Sequence, residues 1–228
     1  TFDGLGDISE ITEQLKPVCK TQSNKIVLKT IFIALLKNYS DDEELIDNLW
    51  KELEKTIRQK TILSYFATLG KLITSTESSK RRNTQLGYTS IYLFYHDAIY
   101  NSLKTDNEEK SAELAEKGAK LAVPTEIIDR CKEQILATKS HHSSTDSDTN
   151  YFTDADLSVL GENWETYATY LSNVRKEYSI YPDLIYNPGR KKVLNHFLAM
   201  DRIYKTDYFY DRYEKQAKEN LQKELDLL

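Results

Sequence analysis

The sequence predicts an all-α protein, and three observations support that fold class. Apolar residues recur at intervals of three and four along most of the chain, which is the spacing that places them on one face of a helix. No segment alternates apolar and polar residues as a strand does. The 228 residues include only seven glycines and four prolines, so few positions interrupt a helix.

The N-terminal part is predicted to form helices separated by one polar loop. Leu45, Leu49 and Leu53 recur at helical spacing, and Asp41 and Asp42 are suited to capping the helix that carries them. The segment 91–100 is apolar nearly all round, which predicts a helix in the interior. The predicted helices are 26–36, 41–60, 61–74 and 91–100, and the predicted loop is 75–84, which holds a basic cluster that is usually solvated in such loops.

The C-terminal part is predicted to be helical as well. Three acidic residues, Asp106, Glu108 and Glu109, crowd one first turn, where the helix dipole favours negative charge. Pro124 suits the start of the next helix. A polar loop is predicted at 142–150, and breaks are predicted at Pro182, Pro188 and Gly189. The predicted helices are 106–122, 124–138, 164–178, 191–200 and 208–227.

Composition narrows the functional class. The net charge of -5 comes from interspersed acids and bases, which argues against general nucleic-acid or anionic membrane binding. The longest apolar run is too short to cross a bilayer, so no transmembrane span is expected. Two cysteines, Cys19 and Cys131, give no disulfide framework, which favours a reducing intracellular compartment, cytoplasmic or organellar. The helical spacing of the tyrosines favours core packing over base stacking.

One pair of adjacent residues is the main candidate for a metal site. His96 and Asp97 are adjacent in an apolar segment, and Asp156 lies in a later acidic motif whose other aspartate, Asp154, is suited to orienting a turn. A divalent ion that activates water for attack on phosphorus needs imidazole and carboxylate ligands of this kind. The chain has four histidines and none precedes His96, so no upstream imidazole is present in this sequence.

The chain from about Leu49 onwards resembles the predicted metal-dependent phosphohydrolases of the HD superfamily, in the small stand-alone group whose site begins with Tyr-His-x-x-x-His. The motifs that carry this resemblance agree in order and spacing. They are Phe94 to Tyr100, Asp106-Asn107-Glu108 with Ser111-Ala112, Thr138 to His141, Phe152 to Gly161, Arg175 to Tyr178, Gly189-Arg190, Ile203-Tyr204 with Thr206, and Glu214 to Ala217 with Asn220-Leu221.

The resemblance implies an HD-like helical bundle and a divalent Mn, Mg or Fe ion held by His96, Asp97 and Asp156. It also implies that His141 and Glu108 lie near the phosphate of the substrate. For His141 the alternative is capping of a helix end, while His142 and His196 are expected to be structural.

Two arginines are weaker candidates for substrate binding. Arg175 and Arg190 match phosphate geometry, but buried pairing with Glu177 or Glu214 is at least as good an interpretation.

The first histidine motif departs from the family pattern. It aligns with Phe66 to Leu72, where Ala67 and Lys71 stand at the histidine positions. Loss of a ligand predicts a metal site that is empty or much weakened, since even outer-shell losses cost about tenfold to a hundredfold in affinity. Lys71 shares a helical face with Ala67 and either neutralises Asp97 and Asp156 in place of the ion or extends into solvent.

These observations predict an N-terminal extension over residues 1–40 and an HD-like domain over 41–228. The favoured function is a non-catalytic binding or scaffolding module that retains a phosphorylated small molecule or binds a protein partner through the extension. The first alternative is an active metal-dependent phosphohydrolase that acts on a nucleotide or another small phosphate ester. A second alternative is a structural subunit of an assembly, which requires a broad apolar patch on the extension.

Overall fold

The computed structural model describes residues 28–29, 32–33, 36–37, 40–56, 94–101, 103–120 and 122–228. Within these ranges there is no strand, which confirms the all-α class. The predicted helix 61–74, with Ala67 and Lys71, and the predicted loop 75–84 lie outside the described residues. The helices with defined bounds are α1 Glu43–Thr56, α2 Asn107–Ala119, α3 Thr125–Ala137, α4 Ser147–Asp156, α5 Trp164–Glu177, α6 Asp183–Leu198 and α7 Asp207–Leu227, and a 3₁₀ helix spans Leu157–Gly161.

The chain divides into two compact units, Thr1–His142 and Ser143–Leu228. In the first unit, Phe32 packs between Trp50 of α1 and Phe94, with ring centroids 5.6 and 5.4 Å away. Leu28, Phe32 and Leu36 are helical and only 1% exposed, as a stripe at four-residue spacing should be. Leu28, Phe32 and Leu36 therefore belong to the core of the first unit, while Lys29 and Ile33 are half-buried. The boundary predicted at residue 40 stays a prediction.

The helices of the first unit begin where the sequence predicts. Asp42 caps α1, because its Oδ1 accepts a hydrogen bond of 2.9 Å from the backbone N–H of Leu45. Asp106 precedes α2, and Pro124 precedes α3, with its carbonyl accepting from Ile127 and Ile128. The predicted ends at 122 and 138 lie three residues and one residue beyond the observed ones.

The polar loop predicted at 142–150 is shorter in the structure, since α4 begins at Ser147. The cause is local capping. The Asp146 carboxylate accepts hydrogen bonds from the backbone N–H groups of Asp148 and Thr149, and the Ser144 backbone exchanges hydrogen bonds with the Asn150 side chain. Side chains that disfavour a helix interior stabilise its first turn, so the polar composition here marks a helix start.

The prediction of a break at Pro188 and Gly189 was wrong. Helix α6 begins at Asp183, eight residues earlier than predicted, and continues through both residues. The N–H that Pro188 lacks would have bonded the carbonyl of Leu184. Both residues lie on an exposed face, so water can hydrate that carbonyl and the loss is tolerated. Pro182 does mark the start, because its carbonyl accepts from Ile185 and Tyr186.

The second unit is built around the contact between the 3₁₀ helix and α7. The side-chain amide of Asn220 donates to the carbonyls of Leu160 and Glu162, both at 2.8 Å, and the Tyr204 hydroxyl donates to the Leu157 carbonyl at 3.0 Å. At Gly161 a Cβ would lie 2.6 Å from both the Cβ and the carbonyl oxygen of Tyr213. Glycine is required here because the two backbones approach so closely.

Core packing accounts for only part of the tyrosines of the second unit, because three of the ten are buried and most of the others are half-buried. Tyr167 and Tyr204 are fully buried, and Tyr204 stacks with Phe209 at a centroid distance of 6.2 Å, whereas Tyr210 is exposed. Among the helices that the structure describes, none combines the length and the apolar character needed to cross a bilayer.

Two glycine substitutions should have opposite effects on stability. Gly161→Ala should lower the free energy of unfolding by about 2 to 3 kcal/mol, because the new methyl group overlaps α7. Gly189→Ala should raise it by about 0.5 to 1 kcal/mol, because nothing lies within 4 Å of the new Cβ and alanine favours the helix. Urea unfolding of the two variants measures both changes. Equal effects would contradict the packing described for Gly161.

Candidate functional site

His96 and Asp97 lie in a turn and not within a helix. Phe94 and Tyr95 are helical, and the Ala98 N–H then donates to the Tyr95 carbonyl at 3.0 Å, which is the tighter spacing of a turn. His96 is buried, whereas the Asp97 side chain is 46% exposed, and His96 Nε2 lies 3.5 Å from Asp97 Oδ2. The prediction of a helix over 91–100 is therefore wrong from His96 onwards.

Side chains of α2 terminate the helical segment that contains Phe94 and Tyr95. The Ile99 N–H donates to Ser111 Oγ at 3.0 Å, and the Asn101 N–H donates to Asn107 Oδ1 at 2.8 Å. Asn107 Nδ2 returns a hydrogen bond of 3.0 Å to the Asn101 carbonyl. These N–H groups are thus taken by side chains and are not available to continue the helical ladder. Ser111 and Asn107 consequently position the turn that carries the His-Asp doublet.

Lys139 links the segment that contains Glu108 to the segment that contains His141. Glu108 is half-buried in the first turn of α2, and His141 follows α3 with a φ of 52°, its N–H donating to the Ala137 carbonyl at 2.9 Å. Lys139 pairs with Glu109 and donates to the Thr105 carbonyl at 2.8 Å. His141 therefore ends α3 in the left-handed conformation, which agrees with a role at the helix end. The first unit holds His96, Asp97, Glu108 and His141.

Asp154 and Asp156 belong to the second unit and have different surroundings. Asp154 is fully buried, and its carboxylate accepts hydrogen bonds from the Lys205 N–H at 3.0 Å and from the N–H and hydroxyl of Thr206, both at 2.7 Å. It orients a turn, as the sequence predicts. Asp156 is half-buried at the end of α4, where its charge acts on Lys205 and on Tyr170.

Lys205 brings a positive charge to these carboxylates. Its Nζ lies 3.3 Å from Asp154 Oδ1, and its side chain is only 9% exposed. Burial lowers the pKa of Lys205, while the Asp154 carboxylate opposes that shift. Burial also raises the pKa of Asp154, against the effects of the Lys205 ammonium and of the hydrogen bonds. The desolvation of this pair thus outweighs its mutual attraction.

Arg190 and Arg175 are both engaged by carboxylates. Arg190 Nε and Nη2 donate to the two Glu224 oxygens at 2.6 and 2.8 Å, and the Tyr167 hydroxyl donates to the same buried carboxylate. The predicted partner Glu214 instead accepts from the N–H groups of Ile203 and Tyr204. Arg175 pairs with Asp183 at 2.7 Å and donates to the Tyr178 and Tyr181 carbonyls.

No group of three or more His, Cys, Asp or Glu side chains that could hold a metal ion occurs in the described part of the chain. Comparison with protein-family models, with curated proteins and with solved structures gives no match to this chain. The candidate site therefore stands on its own geometry, which places His96 beside Asp97 in the first unit and Lys205 beside Asp154 in the second, with Asp156 close enough to act on the charge of Lys205.

Several residues of this arrangement were not predicted as site residues. Ser111, Asn107 and Thr206 lie in the motifs of the resemblance, but only the structure shows that they anchor backbone turns. Lys205 is flanked by two of those motif residues, and that position was the available signal. The sequence does not indicate the role of Glu224, because this residue is one of several acids in the last turns of a highly charged helix.

Arg190 should prove to be a structural residue. Arg190→Met should cost about 3 to 5 kcal/mol in the free energy of unfolding, because it leaves the Glu224 carboxylate buried without its partner. The double variant Arg190→Met/Glu224→Leu should lose less than the single one. Arg202→Met is the matched control, since Arg202 pairs with Asp207 at an exposed site and should cost under about 1 kcal/mol. Urea unfolding measures all three. Unchanged stability in Arg190→Met would contradict this role.

Replacement of Lys205 should make stability more dependent on pH. The pKa of Asp154 is higher in the folded protein than in the unfolded chain. The stability that this group contributes is therefore present below the pKa of the unfolded chain, and it is lost as pH rises through the pKa of the folded protein. Lys205→Met should raise that folded pKa further, so its deficit against wild type should grow between about pH 4 and pH 8, to about 3 to 5 kcal/mol.

Lys218→Met provides the control for Lys205→Met. Lys218 contacts Glu214 at 3.2 Å, but its side chain is 38% exposed, so the deficit of this variant should stay under about 1 kcal/mol. Urea unfolding at both pH values provides the measurement for both variants. A deficit in Lys205→Met that is the same at each pH would refute the proposed coupling.

Proposed function

We propose that this chain is an HD-domain phosphohydrolase homologue whose metal site is degenerate and which acts as a non-catalytic binding or scaffolding module. The observation that carries the proposal is the absence of any histidine before His96, which leaves the first ligand of the family pattern without a candidate. Three ligands of the pattern remain, and a divalent ion held by fewer ligands binds more weakly.

The surroundings of Asp156 support the same proposal. The carboxylate that the resemblance assigns to the ion shares its neighbourhood with the buried ammonium of Lys205. A positive charge already placed there reduces the attraction that the carboxylate offers to a second cation. We infer that Lys205, which pairs with Asp154 and acts on Asp156, takes over in the second unit part of the neutralising role that the sequence suggested for Lys71. The role of Lys71 remains a separate prediction.

The proposed phosphorylated ligand would need another anchor than the two arginines. The guanidinium of Arg190 makes a two-pronged contact with Glu224, and that of Arg175 is shared among Asp183 and two backbone carbonyls. A phosphate would have to displace these partners, and in the case of Arg190 it would expose a buried carboxylate. A phosphate contact by His141 remains compatible with its half-buried position.

Burial also restricts the surface of the N-terminal extension that a protein partner could contact. Leu28, Phe32 and Leu36 of the extension are buried in the first unit, so these side chains are not available to a partner. A protein partner that uses the extension would have to contact its other residues. We therefore place the scaffolding role in the whole chain and not in that apolar stripe.

Metal analysis of the purified protein tests the proposal. We expect less than one bound divalent ion per chain and no turnover of p-nitrophenyl phosphate or nucleoside monophosphates with added manganese. Restoration of the histidine motif in Ala67→His/Lys71→His should raise the affinity for Mn²⁺, measured by isothermal titration calorimetry, by about tenfold to a hundredfold.

Asp97→Ala in the restored background is the control, and it should abolish the gained affinity. The active phosphohydrolase is the rival outcome. Tight stoichiometric metal in the wild-type protein, together with turnover that Asp97→Ala abolishes, would overturn the proposal.

A further inference from the structure

Helix α6 leaves most of its surface unpacked. Of its 16 residues, Tyr186 and Leu194 are buried, and Arg190, between them on the same stripe, points to Glu224. At about 100° per residue, the opposite side of the helix presents one continuous surface. We call this surface the α6 face, and it consists of Leu184, Ile185, Pro188, Gly189, Lys192, Asn195 and His196, all of them exposed. The exposed side chain of Val193 lies at its edge, beside the buried stripe.

In the described part of the chain, exposed apolar side chains concentrate on and around the α6 face. Leu184, Ile185 and Val193 are 87%, 59% and 43% exposed, and Ile180, just before the helix, is 66% exposed. These are four of the eight large apolar side chains that are exposed among the described residues. Single exposed apolar residues are ordinary, but a cluster of them on one element marks an interaction surface.

The charges on α6 indicate the chemistry of the partner. No Asp or Glu occurs from Leu184 to Met200, whereas Lys191, Lys192 and His196 occur there, in a chain whose net charge is -5. The acid at the start of the helix, Asp183, is engaged by Arg175 at 2.7 Å. An apolar strip bordered by basic side chains is complementary to an apolar strip bordered by carboxylates.

Gly189 gives the α6 face room for close contact. No atom lies within 4 Å of the position where its Cβ would be, so its place in the helix has no packing reason within the chain. A residue without a side chain in the middle of an exposed apolar strip lets the backbone of a partner helix approach. Helix α6 is about 24 Å long, which accommodates a helix of three to four turns.

From these observations we infer that the α6 face docks an acidic amphipathic helix of another protein. This inference goes beyond the proposed function, because no residue of the α6 face belongs to the metal-ligand set. It supplies a specific surface and a partner chemistry that the degenerate metal site does not. If metal analysis refuted the proposed function, the inference about the α6 face would still hold. If peptide binding refuted the α6 inference, the metal analysis would be unaffected.

Selection from a library of displayed random peptides, with the length of α6, tests the inference against the full chain. The enriched peptides should carry apolar residues three and four positions apart and more Asp and Glu than Lys and Arg. One enriched peptide, labelled with fluorescein, then serves as the probe in anisotropy titrations. Ile185→Asp and Lys192→Glu should each weaken its binding at least tenfold.

Leu227→Asp is the matched control, since Leu227 is also apolar, helical and 67% exposed but lies outside the α6 face. It should leave the affinity for the probe unchanged. Gly189→Leu should weaken binding without loss of stability in urea, because its side chain occupies only the open space above the helix. This variant separates loss of binding from loss of fold.

Four outcomes would overturn the inference. The first is enrichment of peptides without an acidic surplus, and the second is binding that the α6 variants do not change. The third is sedimentation with phosphatidylserine vesicles that Ile185→Asp abolishes, which would assign the α6 face to a membrane surface. The fourth is a dimer in solution that the same variant dissociates, which would assign it to a second copy of this chain.

Discussion

The arrangement of the second unit depends on the carboxylate of Asp154. This fully buried group accepts three hydrogen bonds from the Lys205 and Thr206 residues, at 3.0, 2.7 and 2.7 Å. A buried carboxylate without donors would be too costly to keep, so the turn before α7 must return to α4 and supply them. That same turn places the Tyr204 hydroxyl on the Leu157 carbonyl and the Lys205 ammonium beside the acids of α4. One desolvated group thus fixes the path of the chain and the local electrostatics.

The electrostatic result is an interior in which carboxylates are balanced by protein cations. Lys205 pairs with Asp154 and is also affected by the charge of Asp156, and Arg190 is paired with Glu224. In an active metallohydrolase, the ion itself is the largest local charge, and acids near it remain available as ligands. In the degenerate site that we propose, the remaining acids would still have to be satisfied. A buried lysine that pairs with Asp154 and acts on Asp156 would achieve this without an ion, which agrees with the proposed degenerate site.

Local signals in the sequence predict most of the fold but not its exceptions. Asp42 and Pro124 locate helix starts because capping depends on neighbouring residues alone. Pro188 misleads, because its effect depends on whether the turn around it is exposed. The turn at His96 could not be predicted either. It depends on Ser111 and Asn107 of a separate helix, whose side chains accept hydrogen bonds from the N–H groups of Ile99 and Asn101. Of the candidate site, the sequence offers the acids and the doublet as candidates, while Lys205 and Glu224 acquire their roles through contacts with residues distant in sequence.

The packing of α6 explains how a largely exposed helix can present a fixed surface. Two buried side chains, Tyr186 and Leu194, would hold such a helix weakly, because apolar burial scales with the area removed from water. The bidentate contact of Arg190 with Glu224 adds a directional anchor to α7, and the guanidinium plane restricts rotation of α6 about its axis. The stripe that faces Glu224 determines which residues face outward. The Gly189-Arg190 motif is therefore explained by its place in the helix: Arg190 anchors one side of α6 to Glu224, and Gly189 leaves open space on another side.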